Sequence, residues 1–516
     1  MRKFATKLRS VTLVLFSLLL VNATMAQMAT IKGFVKNSKE TLEGASVLLE
    51  GKGMGTHTNT TGAFELKVNP GTYNVIITYV GHQKKTVSVT LTAGQVYKLD
   101  VELLKDQDLQ KVTVVGSRSA VVRSNTQTVA PIDVFSAKEL ALTGQVEPTQ
   151  MINFVAPSFN SSRQTIADGT DHIDPATLRG LGPDQVLVLV NGHRRHNTAL
   201  VNLNGTIGRG SVGTDMNAIP SSAIDKIEIL RDGAASQYGS DAIGGVINIV
   251  LKKDVKRTNV NVHLGQQYLG DGLTKSITAN HAFKLGDKGF ADIFADVRLR
   301  EGTNRVGEYT GTVYTSNVAL DNQLIAERKF NRGGNLLLGN SQSNNYNFGA
   351  NFGFPVTDKI NFSGSVLTGY RKGDAAGFYR YPKQTTQVIL ELYPDGFLPH
   401  ILTTVRDRSF NAALDGTMKG WKWDLGTVYG NNGVNFEVNN SNNASQYAMG
   451  KKAQTSFYAG KIYFSQSTTN LNFTKDFGKK LNVKSFNVNL GTEVRLEKYQ
   501  ISAGEEASWK NHDPAS

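Results

Sequence analysis

Hydrophobic and polar positions change texture along the chain, and each texture predicts a different kind of element. Val11 to Val21 form one apolar run behind Arg2, Lys3, Lys7 and Arg9. Between Thr30 and Leu104 the runs are short and alternate with period two, at 31–35, 45–50, 63–68, 73–80, 86–91 and 97–103. Turn residues at 59–62 and 69–71 separate them, which predicts a small β-sandwich. From about 119 the pattern mixes periods. Ser136-Ala-Lys-Glu139 is a capping box that opens a helix, and Gln150 to Val155 is a second helical run that stops at Ala156-Pro157. Gln185-Val-Leu-Val-Leu-Val190 reads as a buried strand with a turn at Asn191-Gly192 behind it. Residues 224–253 begin with an alternating run (Ile227 and Ile229 on one face) and end with the β-branched run Gly245 to Leu251. Small residues and turn signals lie between, so a strand, a Gly/Ala-rich hinge and a second strand are predicted. Locally, a strand–turn–strand unit of a soluble protein reads the same way.

After Lys256 every second position is apolar over runs of about ten residues: 258–268, 274–284, 290–300, 345–354, 360–371, 405–418, 421–431, 465–477 and 485–497. In 345–354, Tyr346, Phe348, Ala350, Phe352 and Phe354 share one face, with Asn345, Asn347, Gly349, Asn351 and Gly353 on the other. The links at 285–289, 355–359, 419–420 and 478–484 are short, whereas those at 301–344, 372–404 and 432–464 are long. Short and long alternate except at the first hairpin, 269–273. Strands that cross a membrane between short inner turns and long outer loops predict this alternation, and a soluble sandwich does not. Nine strands, an odd number, do not close a membrane barrel, so the sequence reads as a truncated barrel.

Composition narrows the chemistry. With no cysteine, disulfides and thiol sites are excluded; the net charge of +13 comes from scattered Lys and Arg without a recognition helix or an aromatic-lined basic groove, so nucleic acid is not an expected partner. The basic head, the eleven-residue apolar run and Thr24-Met25-Ala26 make residues 1–26 a signal peptide, too short to span a bilayer and with no lipid-accepting cysteine after it.

Two motifs carry a family resemblance. Leu178-Arg179-Gly180 followed by Val-Leu-Val-Asn191-Gly192, together with residues 224–253, resembles the plug domain of TonB-dependent outer-membrane receptors. Gly44-Ala45-Ser-Val47, Thr60-Thr-Gly62-Ala-Phe64, Pro70-Gly71-Thr-Tyr73 and Tyr79-Val-Gly81-His82 resemble the carboxypeptidase-regulatory-like domain, a transthyretin-like β-sandwich. The resemblance implies a mainly β fold with an N-terminal β-sandwich (28–105), a linker (106–118), a mixed α/β plug (119–253) and an incomplete antiparallel transmembrane β-barrel (254–516). SusC-type glycan transporters end a plug strand in Val-Asp-Gly, where Val190-Asn191-Gly192 stands here.

The family implies energised uptake of a large scarce ligand (an iron chelate, cobalamin or an oligosaccharide) across the outer membrane, with the N-terminal domain in the periplasm. It implies outer-membrane lipid around the barrel and TonB as the partner. Leu109, Lys111, Val112, Thr113, Val114 and Val115 resemble the TonB box, which pairs with TonB as a strand; a linker with a valine cluster is the alternative. Candidate ligand contacts are Arg163, Asp168, His172, Arg194, Arg195, His196 and Arg209, in the plug loops. Glu493, Arg495 and Glu497 are expected to face the lumen. Glu493 or Glu497 would pair with a plug arginine, Arg179 before Arg231, or else line wet lumen. No catalytic residue, metal ligand or cofactor is expected: His193 and His196 lack an acidic third ligand, and Gly205 to Gly210 lacks the Lys-Ser/Thr of a phosphate loop. The other reading is a secreted surface adhesion or glycan-binding β protein, which predicts neither box nor plug.

Overall fold

The computed structural model describes residues 27–37, 40–79, 82, 84–103, 132–232, 238–478, 480–483 and 486–513. The proposed signal peptide and TonB box lie outside them. The chain divides after Val112 into two compact units.

In the first unit, β1 (Ala29–Lys36) pairs with β4 (Ala63–Val68), β7 (Val96–Lys98) and β8 (Val101–Glu102). A facing sheet runs β3 (Gly55–His57), β2 (Ser46–Leu49), β5 (Gly71–Thr78) and β6 (Lys85–Leu91). Alternation places Ile31, Val35, Phe64, Leu66, Val75 and Ile77 in one apolar core between the sheets. Gly33 is required where β1 passes Leu99, because a Cβ there would lie 1.9 Å from the Leu99 carbonyl oxygen. The sequence pattern misses β3, whose three residues have no apolar alternation to read.

The second unit is a plug seated against a curved wall. The plug sheet has the order β13 (His193–Arg194), β12 (Val186–Val190), β15 (Gly245–Leu251), β14 (Ile224–Leu230), β9 (Ile132–Ser136). Strands β12 and β15 are parallel, and β14 runs antiparallel to both β15 and β9. Every residue of β12 is buried because Val186, Val188 and Val190 enter one apolar cluster while Leu187 and Leu189 enter another. Asn191 and Gly192, with φ of +52° and +84°, make the two-residue hairpin to β13. Gly245 has φ +138°, and a Cβ on it would meet the Leu230 carbonyl oxygen at 2.2 Å. Helix α1 (Ala137–Ala141) opens on the Ser136–Glu139 capping box, and α2 (Pro148–Val155) stops one residue before Pro157. The two-residue strands β10 (Phe159–Asn160) and β11 (Thr177–Leu178) pair beside this core.

The wall is one antiparallel sheet in sequence order: β16 (Thr258–Gly265), β17 (Thr274–Leu285), β18 (Gly289–Arg300), β19 (Gln342–Thr357), β20 (Ile360–Ala376), β21 (His400–Met418), β22 (Trp421–Asn439), β23 (Phe457–Asp476) and β24 (Asn487–Ala503). It does not close on itself among the described residues. Val260, Val262, Phe348, Phe410, Leu490, Val494 and Leu496 are exposed on the outer face. Asn280, Asp296, Arg298, Asn345, Asn347, Arg371, Asp407 and Asn432 are buried on the inner face. The links at 286–288, 358–359, 419–420 and 477–486 are short; those at 301–341, 377–399 and 440–456 are long, and 266–273 stays short among them. Several strands outrun their predicted ends toward the long loops. In residues 431–439 of β22, reading NNGVNFEVN, Val434, Phe436 and Val438 alternate in the opposite phase to Trp421, Trp423, Leu425 and Tyr429, so the outward apolar signal ends before the strand does. Helix α3 (Val318–Arg328) in the first long loop also escapes the pattern, because Val318, Leu320, Leu324 and Ile325 are spread around it rather than gathered on one stripe; the Asn317 side chain caps it and Asp321 accepts the amides of Val313, Tyr314 and Thr315.

Candidate functional site

The lumen-facing polar residues converge on the plug in three buried carboxylate knots. In the first, Glu147 ahead of α2 accepts two hydrogen bonds from Arg300 Nη1 on β18, at 2.8 and 3.0 Å, and a third from Arg163. Arg298 Nη2 stands 3.3 Å from the same carboxylate. In the second, Arg371 on β20 grips Asp215 of the plug through two nitrogens, at 2.9 and 3.2 Å, and donates to the His172 carbonyl oxygen at 2.7 Å. The third reverses the polarity: Asp407 on β21 receives Arg195 and lies 3.0 Å from His196 Nε2, with Asn432 donating to it at 2.9 Å. Neutral contacts fill the gaps. Asn347 donates to the Asn217 carbonyl oxygen at 2.8 Å, Asp296 accepts from the Ser221 hydroxyl at 2.8 Å, and Asn191 reaches Asn351 at 3.2 Å.

The two plug carboxylates sit in different fields. Burial acts to raise the Glu147 pKa, but Arg300, Arg298 and Arg163 outweigh it and hold the group far below the usual carboxylate range. Asp215 faces one guanidinium; there burial wins over Arg371, Asp407 adds to it, and the pKa rises. Burial, with the charges of Arg371 and Arg300, pushes the His172 imidazole down to about 3, so it is neutral at physiological pH.

Three plug histidines each sit over a wall glycine. A Cβ on Gly373 would lie 2.3 Å from the His172 ring, one on Gly426 2.3 Å from His193, and one on Gly430 2.0 Å from His196. Glycine inside a strand marks a close approach of this kind.

At the edge of the wall, Glu493, Arg495 and Glu497 do face inward, but the partners differ from those expected. Glu493 lies 3.2 Å from Arg194 Nε, Arg495 donates to Asp241 at 2.7 Å, and Glu497 pairs with Arg495 at 3.3 Å. Arg194 also engages Asp241 and donates to the Tyr238 carbonyl oxygen at 2.9 Å. Arg179 is instead 3.7 Å from Asp232, and Arg231 is 2.8 Å from Asp133. Both take carboxylates of the plug itself: Arg231 follows β14 where it pairs with β9, the strand that carries Asp133. Arg194 lies on β13, at the opposite edge of the plug sheet, and that edge meets β22.

Of the seven residues read as ligand contacts, Arg163, His172, Arg194, Arg195 and His196 are engaged inside the plug or against the wall rather than presented at its apex. Arg209 is exposed, and half-buried Asp168 accepts from Asn204. Near them Thr165 touches the first long loop through Leu337 and Gly339. Two long loops are joined above, by Tyr309 stacked on Tyr381 at 4.3 Å and by Asp395, which accepts from the Tyr314 hydroxyl at 2.8 Å. The sequence reading missed Glu147, Asp215, Arg298, Arg300, Arg371 and Asp407. The available signal was charge at lumen-facing strand positions together with glycine inside β20 and β22.

Comparisons with known proteins agree with this architecture. The family described as "TonB-dependent Receptor Plug Domain" matches residues 124–246, and "CarboxypepD_reg-like domain" matches 31–115. The ferric enterobactin receptor of Pseudomonas aeruginosa is 24% identical over 268 residues, which cover 46% of this chain and 35% of that protein. The vitamin B12 transporter of Vibrio cholerae is 28% identical over 192 residues, 37% of this chain and 28% of its own length. Among solved structures, a mutant of the P. aeruginosa ferric enterobactin receptor superposes with TM-score 0.51 at 16% identity, over 73% of this chain and 50% of the other. The siderophore receptor PirA of Acinetobacter baumannii gives 0.50 at 17%, over 73% and 49%. The chain therefore spans about half or less of each of these four chains, and at these identities the superpositions speak for the fold alone. A surface adhesion or glycan-binding protein finds no support among these relatives.

Proposed function

We propose that this chain, which carries a TonB-dependent receptor plug domain, is part of a TonB-dependent receptor and serves energised uptake of a large, scarce ligand across the outer membrane. An iron chelate or cobalamin has the support of the relatives' names, and an oligosaccharide is the third class. The observation that carries the reading is a plug with its own apolar core, held to the wall largely by polar contacts. The N-terminal sandwich (28–105) lies in the periplasm, the linker (106–118) presents Leu109, Lys111, Val112, Thr113, Val114 and Val115 to TonB, and the plug (119–253) fills the wall (254–516). Main-chain strand pairing at the box transmits a pull on the plug. Ligand is captured at the plug apex near Asp168 and Arg209 and by the long loops. No ligand bond is made or broken, so no catalytic residue is assigned.

The test uses the chromosomal gene. Val114→Pro removes a backbone donor, so labelled ligand should still bind at the cell surface while its uptake is lost. The panel comprises a ferric catecholate chelate, cobalamin and an oligosaccharide. Uptake that survives Val114→Pro ends the box assignment.

A further inference from the structure

Between plug residues 144–147 and the outer ends of β16, β17 and β18 lies a cavity of about 200 Å³. Arg163, Arg298 and Arg300 line it with one buried carboxylate, Glu147; Glu301, also on the lining, is exposed. Three guanidinium groups thus surround a single buried negative charge.

Arg298 is the least satisfied of the three. It is 4% exposed, and its Nη1 donates to the Val146 carbonyl oxygen at 3.2 Å. Its Nη2 is within ion-pair range of Glu147, yet neither Nε nor Nη2 makes a hydrogen bond among the described residues. Those two nitrogens form one edge of the guanidinium plane, the edge that holds an oxyanion by two parallel hydrogen bonds. Arg163 Nε is likewise buried without a hydrogen bond. Donors this deep are costly to leave unmatched. The Glu147 carboxylate cannot match them all, because Arg300 and Arg163 already occupy its oxygens.

We propose that this cavity is an oxyanion site, which takes a phosphate-sized ion or a single anionic group on the Nε–Nη2 edge of Arg298, with Arg163 and Arg300 beside it. Its volume is below the roughly 300–1,000 Å³ typical for drug-sized ligands, so a whole chelate does not enter. A bound oxyanion competes with Glu147 for the same guanidinium groups and loosens the hold on α2, for which Glu147 is the N-cap residue. The site goes beyond the uptake reading and does not depend on it, since an anion can bind in a chain that transports nothing.

The experiment is calorimetric titration of inorganic phosphate into the full chain in detergent. One saturable site is expected. Arg298→Gln should weaken it at least tenfold, and Glu147→Gln, which removes the competing charge and keeps the shape, should tighten it about tenfold. Lys284→Gln, at a distant inner turn, should change nothing. A measurement on the unsubstituted chain guards against misfolded variants: phosphate should protect Arg298 from phenylglyoxal, read by mass spectrometry. Competition by inositol hexakisphosphate would assign the site to a group carried on a larger ligand, and its absence to the free ion. No phosphate binding, equal binding in Arg298→Gln, or no protection of Arg298 would overturn the proposal.

Discussion

The inside of the plug and the face it turns to the wall are built from opposite chemistry. Inside, Ile152, Leu178, Met216, Ile219, Ile227, Ile229, Ile247 and Ile249 make a dry core, which the wall joins only through Phe294 and Leu367. Toward the wall the contacts are largely Glu147, Asp215 and Asp407 with their arginines, bridged by asparagine and serine, beside one apolar patch in which Ile173, Ala199 and Leu200 pack on Val405 and Val434. Separating apolar surfaces costs free energy in proportion to area. A polar contact that parts in the presence of water regains most of what it loses, because water takes over each donor and acceptor. A plug made this way can keep its own fold while its grip on the wall is exchanged.

Removing half of a knot should have the largest effect. Arg371→Ala leaves Asp215 buried beside Asp407 without its guanidinium, at a cost of about 3–5 kcal/mol to plug seating. Limited proteolysis should then cut the plug while the wall stays intact. The pair Asp215→Asn with Arg371→Met should restore most of that loss, since replacing both ions often costs little. Seating that collapses equally in the pair would make the knot a source of stability rather than of position.

Truncating the core tests the other side. Ile247→Ala should cost about 2–5 kcal/mol and loosen the plug core itself, read as loss of amide protection in β12 and β15. A smaller loss is expected from Gly430→Ala, about 1–3 kcal/mol, because the added methyl pushes the His196 ring away from Asp407. The double variant with His196→Ala should be less than additive; simple additivity would mean that the close approach is not what the glycine serves.

The smallest effect per step is that of a single pH unit. His172 is neutral in the folded chain, its pKa lowered from the ordinary 6.5 to about 3. The unfolded chain therefore binds the extra proton across that window, and stability falls as pH drops through it, by up to about 1.4 kcal/mol per unit. Protection factors of the amides in residues 167–173, taken relative to the intrinsic exchange rate at each pH, should fall from about pH 6.5 downward. Glu147, held far below the usual carboxylate range, should keep its own contacts over the same interval.

Strand identity in the wall was legible because an apolar outer face and a polar face toward the plug impose period two; the run at 345–354 has in the structure the two faces that its alternation predicts. The capping box at Ser136 and the stop before Pro157 were legible because caps are local chemistry. Partner choice was not. Whether Glu493 meets Arg231 or Arg194 depends on which edge of the plug sheet meets the wall, which no local pattern encodes. The ligand-contact reading failed to separate exposed from engaged residues for a related reason. Arg194, Arg195 and His196 have the composition of a binding loop, and only the wall strands opposite them show that they are already occupied.

The most direct measurement tethers the plug to the wall. The chain has no cysteine, so Ser221→Cys with Asp296→Cys, at side chains now 2.8 Å apart, introduces one thiol pair into the chromosomal copy. If the plug must exchange its polar contacts to pass ligand, the oxidised, bridged protein should bind ligand at the surface but take up almost none, and a reductant should restore uptake. Undiminished uptake with the bridge shown to be intact would contradict it.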